Sequence, residues 1–202
     1  MKMKKIFFVL FLLALLPNNS FGENKGELLL KSIQDKYKSI STISAEFKQL
    51  AGGKLNLEGN FYFEKSNKIR LELKHSVIVS NGVTNWSYNK SDNKVIITNY
   101  DKENPPLFSI DNLINSYPSM CQVSSQFIDG KNVLVLTAKN PSLKFSSIKI
   151  WLNGDNLIDK LLIDSSGKTI EITFSKYKIN QKLNESRFSF TPPKGSSVVD
   201  LR

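Results

Sequence analysis

The sequence has a single cysteine, Cys121, and a single histidine, His75, among 202 residues. One cysteine cannot close an intramolecular disulfide, so a packed core has to hold the fold, with Cys121 expected as a small buried apolar side chain. One cysteine and one histidine cannot assemble a Cys/His zinc cluster. A Ser-His-Asp or Cys-His arrangement would have to use His75, which stands in a strand-like stretch without a nucleophile elbow. The carboxylates are dispersed, and no two are marked as an acid/base couple. These shortages favour a binding protein over an enzyme, with no metal or cofactor expected.

Long apolar runs are also scarce. The eleven residues from Ile6 to Leu16 end at Pro17-Asn18-Asn19, short of the ~20 needed to span a bilayer. Lys2, Lys4 and Lys5 precede the run, and Ser20 and Gly22 stand where a signal peptidase needs small residues. Residues 1–22 are therefore expected to be a cleaved secretory signal, with Glu23 opening the exported chain. No cysteine lies near the cut to accept a lipid anchor. Residues 23–202 contain no Pro/Gly/Ser linker and no repeat, so one domain is expected. Acidic residues are the minority charge: 18 against 28 basic ones, a net charge of +10 that falls to +7 without the signal. The lysines are scattered and form no stripe, which argues for a solvated surface and against nucleic acid.

Leu28, Leu29, Leu30, Ile33, Tyr37 and Ile40 recur close to a 3.6-residue period, which predicts an opening amphipathic helix. The period then changes to two. Ile43, Ala45 and Phe47 alternate with polar residues, as do Leu55, Leu57, Gly59, Phe61 and Phe63, and then Ile69, Leu71 and Leu73. Asn81-Gly82 predicts a hairpin into Trp86 and Tyr88, two expected packing anchors. Asn104-Pro105-Pro106 breaks the sheet, and the apolar spacing to Ile114 predicts a short inserted helix. Strand patterns resume over 120–127, 133–137, 145–152, 157–163 and 169–179, and a last strand is expected at Phe188 and Phe190. The fold class is mainly β (α+β): a single strongly curved antiparallel sheet of about ten strands, with two to three helices on its concave face. The pattern leaves open whether those helices seal a dry core or sit as a lid over a cavity.

Several ordered motifs resemble the periplasmic outer-membrane lipoprotein carrier family. They are Phe47-Lys48-Gln49, Gly59-Asn60-Phe61-Tyr62-Phe63, Ser80-Asn81-Gly82 with Trp86 and Tyr88, and Phe188-Ser189-Phe190-Thr191-Pro192-Pro193-Lys194-Gly195. Order and spacing agree from about Leu30 to Asp200. The resemblance implies an unclosed barrel lidded by helices, whose apolar interior takes up lipoprotein acyl chains in the periplasm and carries them from the inner to the outer membrane. The implied partners are the lipoproteins themselves, an inner-membrane release complex and an outer-membrane receptor, met by a monomer. Phe61, Phe63, Ile69, Leu71 and Leu73 are the expected cavity lining, and Leu107, Phe108, Ile110 and Leu113 the expected lid, with ordinary core packing as the alternative for each. Where the family commonly has Arg-Pro after the second strand, its arginine bonding the lid shut, this chain has Lys65-Ser66. Lysine lacks the bidentate fork, so Lys65 is a candidate latch that is weaker, different or absent. The rival readings are a related module for another amphiphile such as a glycolipid, a lipoprotein-sensing stress regulator and, in another class, a lipid hydrolase.

Overall fold

The computed structural model describes residues 24–101 and 109–202. The expected signal segment and the lid positions Leu107 and Phe108 lie outside the described residues. Helix α1 (Lys25–Lys38) comes first. The Asn24 side chain accepts from the Gly26 N–H as its cap, and Glu27 in the first turn with Lys36 and Lys38 in the last complement the helix dipole. Leu30, Ile33 and Tyr37 are its buried stripe. Ile40 falls just past the helix and is buried there.

Six strands follow: β1 (Thr42–Ala51), β2 (Lys54–Glu64), β3 (Lys68–Leu73), β4 (Ser76–Asn81), β5 (Thr84–Asn89) and β6 (Lys94–Asn99). The chain then forms a π-helical turn (Asn112–Ser116) that runs into α2 (Tyr117–Met120). Five strands return: β7 (Cys121–Ile128), β8 (Lys131–Ala138), β9 (Ser147–Leu152), β10 (Ile158–Ser165) and β11 (Lys168–Ile179). A 3₁₀ turn (Glu185–Phe188) and a short β12 (Ser197–Asp200) end the chain. The described strands form one sheet in the order β12-β6-β5-β4-β3-β2-β1-β11-β10-β9-β8-β7. Its end strands, β12 and β7, do not pair with each other, so the sheet is unclosed.

The tight turns follow local chemistry. Gly82 takes φ +85 between β4 and β5, and a Cβ there would come within 2.4 Å of the Ser66 carbonyl oxygen. The Asn81 side chain caps the same turn by accepting from the Val83 and Thr84 N–H groups.

The period-two pattern sorts side chains onto two faces. Phe47, Phe61, Leu71, Leu134, Ile150, Leu161 and Phe174 join one core with Leu30, Ile33 and Tyr37 of α1 and with Leu113 and Ile114. This is the inner face. On the outer face Val77, Val79, Val95 and Ile97 form a second buried group outside that core, covered by the C-terminal segment. Arg187 stacks over the Tyr62 ring at 4.0 Å, Arg70 donates to the Arg187 carbonyl, and Phe190 packs on Tyr88 at 5.5 Å.

The structure corrects the sequence reading in three respects. Phe188 lies in the 3₁₀ turn and Phe190 in no strand, because this segment clasps the outer face instead of extending the sheet. Having crossed that face, the chain reaches β6 in the same direction, so β12 pairs with it in parallel while every other pairing is antiparallel. Twelve strands are described where about ten were expected. Of the described helical elements, two lie against the inner face, within the expected two to three, and the 3₁₀ turn lies on the outer face.

Candidate functional site

The β2–β3 hairpin brings the five expected sheet positions together. Register places Phe61 opposite Leu71, Phe63 opposite Ile69 and Gly59 opposite Leu73, all on the inner face. Phe61, Ile69, Leu71 and Leu73 are buried and Phe63 is partly so. Gly59 allows this close pairing, since a Cβ on it would meet the Glu72 carbonyl oxygen at 2.0 Å. Facing them, Phe174 of β11 sits edge-on to Phe61 at 6.1 Å. Above lie the two described lid positions, Leu113 buried and Ile110 partly buried against the same core.

The space left among these groups is small. A pocket of about 20 Å³ is bounded by Tyr37, Phe61, Ile110, Leu113, Phe174 and Tyr177, room for little more than one water. A wider cleft of about 590 Å³ opens beside it at the rim, between α1, the 110–115 segment and the β2–β3 turn. Gln34, Lys38, Phe63, Lys65, Ile110 and Asp111 are on its walls. Among the described residues the inner face is thus collapsed on its helices, with a mixed polar and apolar cleft beside it.

Three lining residues, Tyr37, Phe174 and Tyr177, were not singled out as site residues by sequence reasoning. A bulge explains the last two. Opposite Ser44 to Glu46 of β1, β11 inserts an extra residue, and Lys176 takes φ +53. Strict alternation would send Phe174 and Tyr177 to opposite faces, whereas the bulge brings both to the inner face. The Tyr177 hydroxyl then donates to the Ile158 carbonyl at 2.5 Å, and the Ile158 N–H donates to the Tyr37 hydroxyl at 3.1 Å. Both hydroxyls are thus bonded to the backbone of one residue, Ile158. Burial pushes the Tyr37 hydroxyl up to about 12 and raises that of Tyr177 as well. Both stay neutral, and the Tyr37 bond pins α1 to β10.

Lys65 donates from Nζ to the Lys38 carbonyl at 2.8 Å. Its described contact is therefore with the C-terminal end of α1, where a cation complements the helix dipole. Cys121 is buried with its thiol raised by desolvation, which Lys139 opposes. His75 is exposed on the β3–β4 turn. Trp86 and Tyr88 lie on the outer face, in register with Val79 and Val77. Among the described residues no group of three or more His, Cys, Asp or Glu is placed to hold a metal, and no helix is long and apolar enough to cross a membrane.

An unclosed β-sheet folded over an apolar layer of helices defines the fold class. Residues 38–191 match the family model described as outer membrane lipoprotein carrier protein LolA, and the chain belongs to that family. Outer-membrane lipoprotein carrier proteins of Legionella pneumophila (strain Corby) and Francisella tularensis subsp. novicida are 27% and 28% identical to it; the alignments cover 98% of this chain, and 99% and 98% of those relatives. An uncharacterized conserved protein from Thermus thermophilus shares the fold at 13% identity and a TM-score of 0.58, over 87% of this chain and 99% of that one.

Proposed function

We propose that this chain is a periplasmic carrier that takes lipoprotein acyl chains between the inner face of its sheet and its helical layer, and moves them from the inner to the outer membrane. The carrying observation is the inner face itself. Phe61, Phe63, Ile69, Leu71 and Leu73 present continuous apolar surface to a helical layer, with an open cleft at the rim, in a chain of the lipoprotein carrier family. The described pocket of about 20 Å³ between sheet and helices is far below the roughly 300–1,000 Å³ of sites that hold small-molecule ligands. Acyl chains therefore enter by lifting the 110–120 segment. Each chain drawn into water costs on the order of 10 kcal/mol, at ~0.8 kcal/mol per CH₂. That is enough to displace a helix, while reclosure of the apolar layer favours release to a receiving partner.

In this reading the protein binds and does not turn over its cargo. Residues 1–22 direct export, Lys65 steadies the end of α1 that borders the mouth, and the basic surface meets the release complex and the receptor. Mass spectrometry of ligands co-purified from the periplasm tests it, with triacylated peptides expected. Free glycolipid would favour the other amphiphile, and an esterase activity lost in His75→Ala would overturn the binding reading.

A further inference from the structure

The two inner-face helical segments are attached very differently. α1 is tied down along its length. Asn24 Nδ2 donates to the Val123 carbonyl at 3.1 Å, and Gly26 lies so near the Ser124 backbone that a Cβ would come within 2.5 Å of it. The Tyr37 hydroxyl accepts from the Ile158 N–H, and Lys65 holds the Lys38 carbonyl. The described side-chain hydrogen bonds of the 110–120 segment run mostly within it. Asn115 donates to Asp111, Ser116 to Asn112 and Ser119 to the Ser116 carbonyl. Its π turn sends the Tyr117 N–H five residues back, to the Asn112 carbonyl. Residue 118, in α2 where the α register resumes, is proline and has no N–H. An α-helix would place that missing donor on the Ile114 carbonyl. Instead Gln34 Nε2 donates to it at 2.9 Å, from α1 across the wall of the cleft.

We infer that Gln34 is the positioning residue that holds the 110–120 segment shut, and that Pro118 creates the acceptor it holds. The inference rests on the carrier reading for its purpose but not for its geometry. The clasp spans the mouth where acyl chains would enter. It joins the fixed helix to the one that must move, and it is a single neutral hydrogen bond that entering apolar surface can outweigh. The described bond of the Lys65 ammonium is to α1 and would not be broken by the same movement.

The test is a double-mutant cycle on the purified protein, comparing parent, Gln34→Ala, Pro118→Ala and the double variant. Amide hydrogen exchange is followed residue by residue, and uptake of dansyl-undecanoic acid is measured alongside. Gln34→Ala should speed exchange in 113–120 by about tenfold, leave α1 and β8 amides unchanged, and speed probe uptake. In the Pro118→Ala background, where residue 118 supplies its own donor, the same change should have less than about a threefold effect. An equal acceleration in both backgrounds, no acceleration at all, or a uniform acceleration that includes α1 and β8 would overturn the inference. A parent that takes up no probe while showing the expected exchange pattern would overturn the carrier reading and leave the clasp standing.

Discussion

Replacing Leu71 with glutamate tests the inner face at its centre. Leu71 is 5% exposed, opposite Phe61 on β2 and Ile78 on β4. Losing the buried leucine costs about 1.5–3 kcal/mol. The carboxylate adds more, because an unpaired charge in an apolar interior either costs several kcal/mol or takes up a proton. Staying protonated in the closed form costs about 1.4 kcal/mol for each unit by which its pKa has to rise above the medium. The other escape is to lift the 110–120 segment and admit water, so the total loss cannot exceed the cost of opening. The variant is therefore expected to remain folded at pH 7, to melt lower than the parent, and to lose acyl binding, since bound chains would strip the carboxylate of water. Stability should recover as pH falls. A carboxyl whose folded pKa is raised binds its proton in the folded state at pH values where the unfolded chain has lost it, so folding is favoured by acid through that window. Leu55→Glu on the neighbouring strand β2 is the control: Leu55 is 58% exposed, and its replacement should stay within about 0.5 kcal/mol of the parent. Thermal melts at pH 5 and pH 8, and titration with a fluorescent fatty acid, are run on the same samples. A Leu71→Glu protein that melts like Leu55→Glu and binds like the parent would refute the placement of Leu71 in the interior. One that is unfolded at both pH values would refute the claim that the helical segment can lift.

Tyr37→Phe removes the acceptor of the Ile158 N–H and should cost about 1–3 kcal/mol, read as a lower urea midpoint with an unchanged slope. In the parent, Tyr37 keeps its proton in the folded state up to about 12 against 10.0 for an ordinary tyrosine. Its stabilisation is thus complete below pH 10 and lost as pH rises through that window; an equally steep alkaline decline in Tyr37→Phe would show that Tyr37 does not cause it. Gly59→Ala drives a Cβ to 2.0 Å from the Glu72 carbonyl oxygen, whereas Gly154→Ala meets nothing within 4 Å. Chemical denaturation should show a loss of several kcal/mol for the first and a change within about 0.5 kcal/mol for the second.

Much of this architecture was legible because period is a one-dimensional signal. Alternation from Ile43 to Phe47 and from Leu57 to Leu73 told which side chains share a face, and pairing register then set Phe61 against Leu71 as the pattern requires, while Leu55 is exposed beyond the irregularity in the β1–β2 pairing. The stripe Leu30, Ile33 and Tyr37 named the buried side of α1 in the same way. Phe188 and Phe190 misled for the converse reason: alternation states that two side chains share a side, but a 3₁₀ turn and an extended segment crossing a sheet can bury them as well as a strand can.

By itself, the sequence determined a mainly β chain with one-sided strands, an amphipathic first helix and no cysteine cross-link, since propensity, period and residue counts act locally. Tertiary structure alone decided the rest. Whether Phe174 and Tyr177 share a face depended on one bulged residue, Lys176, whose left-handed backbone no periodic pattern announces. That Gln34 meets the Ile114 carbonyl, 80 residues away in sequence, depended on where α1 lies across the sheet. The size of the interior was decided last of all, because a volume is the small difference between a sheet's curvature and the side chains that fill it, and neither is written in any one segment.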